Sequence, residues 1–454
     1  MISRRTLALA CLIALLTAAC ADPVPAAGAS TSDAAAGDAA SGDAASGDGA
    51  VAADAPKAEV PTGAPCDPDL STGPSPRGDL GGGFVADRLI VLYGDDSVPV
   101  QCAPAFHGAT DAWRFLPCGG WSKLTGSLPP PRARIASATD PVAGALFVYG
   151  GRFRTASSGP YTVFGDLWRY DTAADTWTLL HDGKGGPAAR SHGLLVARPG
   201  KDKAASSELY LYGGNASTDG LQMKPLGDVW RFDLASNAWT LVKTTGKSPP
   251  ARLFHTGAIT NDGKSLVTFS GGDANAFLGP FLGDAWRLDL DSGAWKALAN
   301  DSPRPVPRIK SGMLAIPGQP RLLVFGGHDD GPVGNRNDLW WLDPSTGEWE
   351  MVRSGDVGIG DDPDVPNEAA KGVCDFPPDF TKVDLTSPER REAFVWGWDP
   401  ATKRVWLFGG KADCGPLRDV WTLDPATLEW AAIDDTPKGW SCRRYQNPCN
   451  TLCN

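Results

Sequence analysis

From about residue 80 onward, short apolar runs of five or six residues alternate with turns rich in glycine, proline, aspartate and serine. Runs of that length, rich in Val, Leu, Phe and Tyr and closed by such turns, predict strands rather than helices. One phrase recurs: "GDLWRYDTAADTW" (165–177), "GDVWRFDLASNAW" (227–239), "GDAWRLDLDSGAW" (283–295), "NDLWWLDPSTGEW" (337–349) and "RDVWTLDPATLEW" (418–430), with a degraded copy around Trp113. Ahead of it stands an apolar strand ending in glycine: "RLIVLYGD", "ALFVYGG", "ELYLYGG", "SLVTFSGG", "RLLVFGG" and "RVWLFGG". Further upstream each unit opens with Pro-x-x-Arg, at Pro74–Arg77, Pro129–Arg132, Pro187–Arg190, Pro249–Arg252, Pro305–Arg308 and Pro388–Arg391. The pattern predicts four short strands per unit, in six units.

Successive first tryptophans (Trp113, Trp168, Trp230, Trp286, Trp340, Trp421) are 55, 62, 56, 54 and 81 residues apart. Periods near 50 with four strands each predict propeller blades. The glycine doublets, tryptophan pairs and strand order resemble kelch repeats over residues 74–433. That resemblance implies an all-β, six-bladed kelch-type β-propeller with four antiparallel strands per blade. Blades are expected at about 74–124, 129–180, 187–242, 249–298, 305–352 and 388–433, within a propeller domain of 66–433. Twelve of the 17 tryptophans fall in the six pairs; packing between blades, where large aromatics fill the splay, is the expected role, against stacking on carbohydrate.

The six arginines Arg77, Arg132, Arg190, Arg252, Arg308 and Arg391 are expected to start the innermost strands and gather at one mouth of the axial channel. There they either bind carboxylate ligands through planar, bidentate donors or are neutralised by the aspartates Asp111, Asp166, Asp228, Asp284, Asp338 and Asp419, since unpaired buried charge is costly. Loops between blades and loops between second and third strands emerge on that same face, including the long insertion 351–387.

Composition refines this reading at the ends of the chain. "MISRRTLALACLIALLTAAC" (1–20) is a basic start, an apolar run too short to span a bilayer, and small residues before a cysteine. It resembles a lipoprotein signal peptide, 1–19, with Cys20 as the lipidated residue; an ordinary secretory signal and a twin-arginine signal at Arg4 and Arg5 are the alternatives. Residues 20–65 are rich in Ala, Gly, Asp and Ser and predict a disordered tether with a reach of roughly 35 to 40 Å. The expected location is the cell envelope, lipid-anchored, or else secreted. Net charge is −11, becoming −13 once Arg4 and Arg5 are removed; no basic patch supports nucleic-acid binding, and membrane contact is expected only through the lipid. Eight cysteines follow the signal, Cys66, Cys102, Cys118, Cys374, Cys414, Cys442, Cys449 and Cys453, all in the first unit, the last unit or their flanks. In an exported protein this predicts disulfides: Cys374 with Cys414, and Cys66 tied to the Cys-rich tail 434–454, so that ring closure is covalent.

Catalytic motifs are missing from the sequence: it has no Gly-x-Ser-x-Gly, phosphate loop or His-Glu-x-x-His. His192 and His255, on neighbouring first strands, are candidates to face the channel, with a structural role as the alternative. His328, Asp329 and Asp330 form a polar loop cluster, and the spacing of Cys442, Cys449 and Cys453 fits no common zinc pattern. No cofactor or metal is expected. The copper ligands of galactose oxidase, a kelch enzyme, find no counterpart set here. Two functions stay open: a non-catalytic, surface-anchored module, monomeric, that binds a protein, peptide or glycan, and a sugar-active enzyme similar to bacterial sialic acid mutarotases or galactose oxidase. The second requires a carboxylate or histidine within reach of two unpaired ring arginines.

Overall fold

The computed structural model describes residues 68–96, 107–201, 204–275, 279–299, 303–329, 334–358, 380–382, 384–412 and 415–434. The expected signal, tether and tail, and every expected disulfide cysteine except Cys118, lie outside these residues. Six antiparallel sheets follow one another along the chain. The first holds Gly81–Val85, Arg88–Leu92, Ala112–Leu116 and Gly120–Lys123; the last holds Val395–Asp399, Arg404–Ala412, Gly415–Asp424 and Glu429–Asp434. Each innermost strand packs against those of both neighbouring blades, and Gly81–Val85 packs against Val395–Asp399, which closes the ring. This is the six-bladed propeller the repeats predict, and closure needs no strand exchange because every sheet is contiguous in sequence. Short extra hairpins, Arg152–Phe153 with Thr162–Val163 and Val357–Gly358 with Phe380–Lys382, rise from the loops.

Six apolar clusters fill the six seams, one between each pair of neighbouring blades. The tryptophan pairs serve them as expected, with different jobs for the two members. In five blades the second tryptophan turns toward the preceding blade and meets the aromatic just ahead of that blade's glycine turn: Trp121 on Phe408, Trp239 on Tyr149, Trp295 on Tyr212, Trp349 on Phe269 and Trp430 on Phe325, at centroid distances of 4.7–5.5 Å; in blade 2, Trp177 meets Tyr170 of its own blade at 5.1 Å. The closing seam is thus built like the other five, by side-chain packing.

The structure also explains the glycine doublet. Its two positions both have left-handed backbone, and in blade 5 they are Gly326 (φ 62°) and Gly327 (φ 102°). The first position tolerates a side chain, since Tyr93 (φ 51°) and Ser270 (φ 60°) occupy it in blades 1 and 4. The second does not: a Cβ on Gly327 would lie 2.8 Å from the Ile309 carbonyl oxygen. Blade 1 therefore keeps the turn as Tyr93-Gly94, with Asp95 the residue after it, and in blade 4 the turn is Ser270-Gly271 rather than the written doublet 271–272. From the second position the N–H donates to the arginine carbonyl of the next blade in all six seams, Gly410 to Arg77 included, at 2.9–3.3 Å.

Candidate functional site

Each Pro-x-x-Arg arginine lies four residues ahead of its four-residue or longer inner strand, in the turn between blades. Its side chain runs outward across the end of the second strand to the head of the third. All six are at most 2% exposed. Each pairs with the aspartate of its own blade at 2.5–2.9 Å. In blades 2 to 6 the pair is bidentate; in blade 1 the second guanidinium nitrogen of Arg77 turns to the Ser75 hydroxyl instead. Further donors go to main-chain carbonyls, in blade 5 those of Val306 and Gly326. The aspartate's other oxygen accepts the indole N–H of the first tryptophan, at 2.6–2.9 Å throughout. Burial pushes the Asp338 carboxyl up, but the charge and hydrogen bonds of Arg308 outweigh it and hold the group below the ordinary carboxylate range. Of the two arrangements open to the arginines, the molecule adopts the paired one. The mutarotase-like reading needed two unpaired ring arginines beside an acid or histidine, and the paired ring offers none.

What faces the axis is the residue two positions after each arginine. Asp79, Arg134, His192, Phe254, Lys310 and Ala393 all have φ between 53° and 60°. Each N–H donates to the carbonyl of its counterpart in the preceding blade, Arg134 to Asp79, His192 to Arg134, and so on to Asp79 to Ala393, at 2.7–3.4 Å. A closed six-membered ring of peptide hydrogen bonds thus encircles the axis. A second ring surrounds it, made by the residue following each glycine turn: Asp95, Arg152, Asn215, Gly272, His328 and Lys411 bridge to the residue after each arginine.

Charge is distributed unevenly over these twelve positions. Blade 1 contributes two acids and blade 2 two arginines, while blade 4 contributes Phe254 and Gly272. Asp79 is ion-paired to Lys411 (3.1 Å), Lys310 (3.4 Å) and Arg134 (3.5 Å). Burial would raise its pKa, but these three cations hold it well below the ordinary range. Lys411 also pairs with Asp95, and Lys310 with Glu392 at 2.9 Å. Burial works against the Lys411 ammonium, yet Asp95 and Asp79 raise its pKa overall. His192 shares a hydrogen bond with Arg134 (2.9 Å) and one with the Ser191 hydroxyl (2.7 Å), and its ring meets Phe254 edge-on at 4.1 Å. Burial, Arg134 and Arg152 depress its pKa well below the ordinary histidine value. Burial and Arg134 push Arg152 down to about 9; its guanidinium stacks on Tyr161 at 4.0 Å and donates to the Gly220 carbonyl.

Of the two candidate histidines, only His192 stands at the axis. His255 is buried between blades 3 and 4 against Tyr212 (4.9 Å) and, through burial and Arg252, has a pKa of about 3. His328 contacts Asn335 at 3.3 Å and Asp329 pairs with Arg336, while Asp330 lies outside the described residues. Among the described residues, no group of three or more His, Cys, Asp or Glu is placed to hold a metal. Of the axial ring, the sequence pointed to His192 alone, because the constant residue in each unit is the arginine two positions before it. The usable signal was its opposite: a fixed offset from each arginine and each turn at which the residue changes from blade to blade.

Six four-stranded blades, joined by glycine turns and fixed by the Arg–Asp–Trp unit, define a kelch-type β-propeller. The comparisons with known proteins agree. Residues 203–361 match the family model described as the KLHDC2/KLHL20/DRC7 Kelch-repeats domain, and residues 116–273 match that of the Attractin/LZTR1 beta-propeller. Similar proteins include acyl-CoA-binding domain-containing protein 5 of Arabidopsis thaliana, 30% identical over 52% of this chain and 34% of that protein. The host cell factor of Drosophila melanogaster is 25% identical over 81% of this chain and 24% of its own length. Human host cell factor 1 is 27% identical over 62% and 14%. The chain therefore spans about a third or less of these relatives.

Proposed function

We propose that this protein is a non-catalytic binding module, tethered at the cell envelope by a lipid on Cys20, that recognises a protein, peptide or glycan through the face carrying the axial mouth. One observation carries the reading: two rings of positions are held by an unvarying backbone frame, while the side chains on them differ from blade to blade. A frame of this kind fixes where groups stand and leaves their chemistry free, as recognition requires. Hairpins specific to single blades, Arg152–Phe153 with Thr162–Val163 and Val357–Gly358 with Phe380–Lys382, extend the same face and break its symmetry further.

The test is a pull-down from envelope extracts with the mature protein, wild type beside an Arg134→Gln, His192→Gln variant, with melting curves for both and an anomerisation assay on acidic sugars. Capture by the wild type, lost in a variant that melts normally, supports binding at the mouth. Sugar turnover that the variant loses, or capture the variant leaves unchanged, overturns it.

A further inference from the structure

Among the described residues, ten arginines and lysines are at most 9% exposed. Nine of them meet a carboxylate oxygen within 3.3 Å. The tenth, Arg152, is 6% exposed and forms no ion pair among the described residues.

Arg152 opens the short hairpin that rises from blade 2. Its guanidinium stacks on Tyr161, just ahead of the returning arm, at 4.0 Å, and that of Arg154 lies over the same ring at 4.2 Å. A loop of blade 3 closes against them. The Tyr161 N–H donates to the Asp219 carbonyl at 2.7 Å, and Nη1 of Arg152 donates to the Gly220 carbonyl. Gly220, with φ 69°, passes so close that a Cβ on it would lie 2.9 Å from Tyr161 and 3.1 Å from Arg152. Hairpin and loop are thus latched through one guanidinium.

A guanidinium has five N–H donors, and the Gly220 carbonyl takes one. The Nε–H is buried and donates to nothing. Acids nearby are committed elsewhere: Asp219 turns its carboxylate to the Ser217 hydroxyl (2.7 Å) and the Leu221 N–H (3.0 Å), Asp79 serves three other cations, and Asp95 pairs with Lys411. Burial and Arg134 depress the group to about 9, which still leaves it charged at neutral pH.

We propose that Arg152 binds a small oxyanion of the carboxylate class along the edge formed by Nε and Nη2. That edge presents two parallel N–H groups spaced for two oxygens of one planar anion, and a buried charge is costly until it is compensated. An exposure of 6% limits the ligand to the size of acetate, since anything larger has to lift the hairpin to reach the edge. The bound anion completes the latch, so its occupancy decides whether hairpin and loop stand together as one wall of the mouth. This holds whatever partner the mouth itself takes.

Melting of the full-length protein in rising sodium acetate, with ionic strength held constant by sodium fluoride, tests the site in wild type and Arg152→Met side by side. A ligand that binds only the folded state stabilises it by mass action, so the wild-type melting temperature should climb along a saturating curve while that of the variant stays flat. An acetate effect of equal size in both proteins, or none in either, overturns the proposal. NMR of the arginine Nε–H groups gives a reading from the wild type alone: one resonance should move saturably with acetate, and if none moves the proposal fails. The moving resonance should be missing from Arg152→Lys, which keeps the charge and lacks the edge; its presence there places the anion elsewhere and counts against Arg152.

Discussion

Replacing Asp338 by Asn keeps the shape of the most buried Arg–Asp unit and removes its negative charge. Arg308 is 1% exposed and Asp338 8%, so water cannot take over the guanidinium, and breaking a buried pair of this kind costs about 3 to 5 kcal/mol. The amide oxygen still accepts one hydrogen bond, which sets the expectation at about 3 kcal/mol. At roughly 2.1 cal/mol/K per residue, unfolding a propeller of this size has an entropy near 0.8 kcal/mol/K, so the melting temperature should fall by about 4 °C. The pH dependence supplies a second signature. The folded pKa of Asp338 is lowered, so its stabilisation is present above the unfolded value, about 3.9, and is lost as pH falls through the folded one. Wild type and variant should therefore differ most near pH 7 and converge below pH 4. Calorimetry of both proteins from pH 7 to pH 3 measures this; a variant within 1 kcal/mol of wild type at pH 7, or a gap that does not shrink in acid, refutes the view that the pair is held as ions.

Lys411→Met leaves Asp79 and Asp95 buried beside an apolar chain; denaturation curves should show a loss of about 3 kcal/mol or more, shrinking as acid protonates Asp79, whose folded pKa is lowered. Gly271→Ala places a Cβ 2.8 to 2.9 Å from His255 and the Leu253 carbonyl at φ 106°, and should cost more than about 2 kcal/mol. Ser270→Gly, one residue earlier, suits the backbone but removes the buried hydroxyl that accepts the Arg308 N–H at 2.7 Å, and should cost about 1 to 3 kcal/mol through that lost hydrogen bond; both variants are read from melting curves. If Cys20 carries the lipid, Cys20→Ala should move the protein from the membrane to the soluble fraction with no acyl group on its N-terminus.

The repeat unit was legible because its parts act at short range. Pro-x-x-Arg, the glycine turn and Asp-x-Trp each impose their own geometry, so blade number and order followed from counting them, and the six equal partners made the paired ring a readable alternative. Where the arginine side chains point was harder to see. That depends on their position four residues ahead of the strand, which turns them outward into the blade and leaves Arg134, His192 and Lys310 at the axis. Contacts such as Lys411 with Asp79, more than 300 residues apart, join elements only after the ring has closed, and no local pattern announces them. The Tyr93-Gly94 turn was similarly concealed, because its first position requires a backbone conformation and does not require glycine.

The closed hydrogen-bonded ring at the axis also fixes what the mouth can offer a ligand. At each of the six axial residues the N–H is donated to the preceding blade and the carbonyl accepts from the following one, so none of these N–H groups is left for a ligand. A helix terminus presents unpaired main-chain groups to whatever binds there; this ring presents no free N–H. What a ligand meets is set by the side chains of Asp79, Arg134, His192, Lys310 and the residues around them, and one substitution can rewrite it while the ring beneath stays as it is.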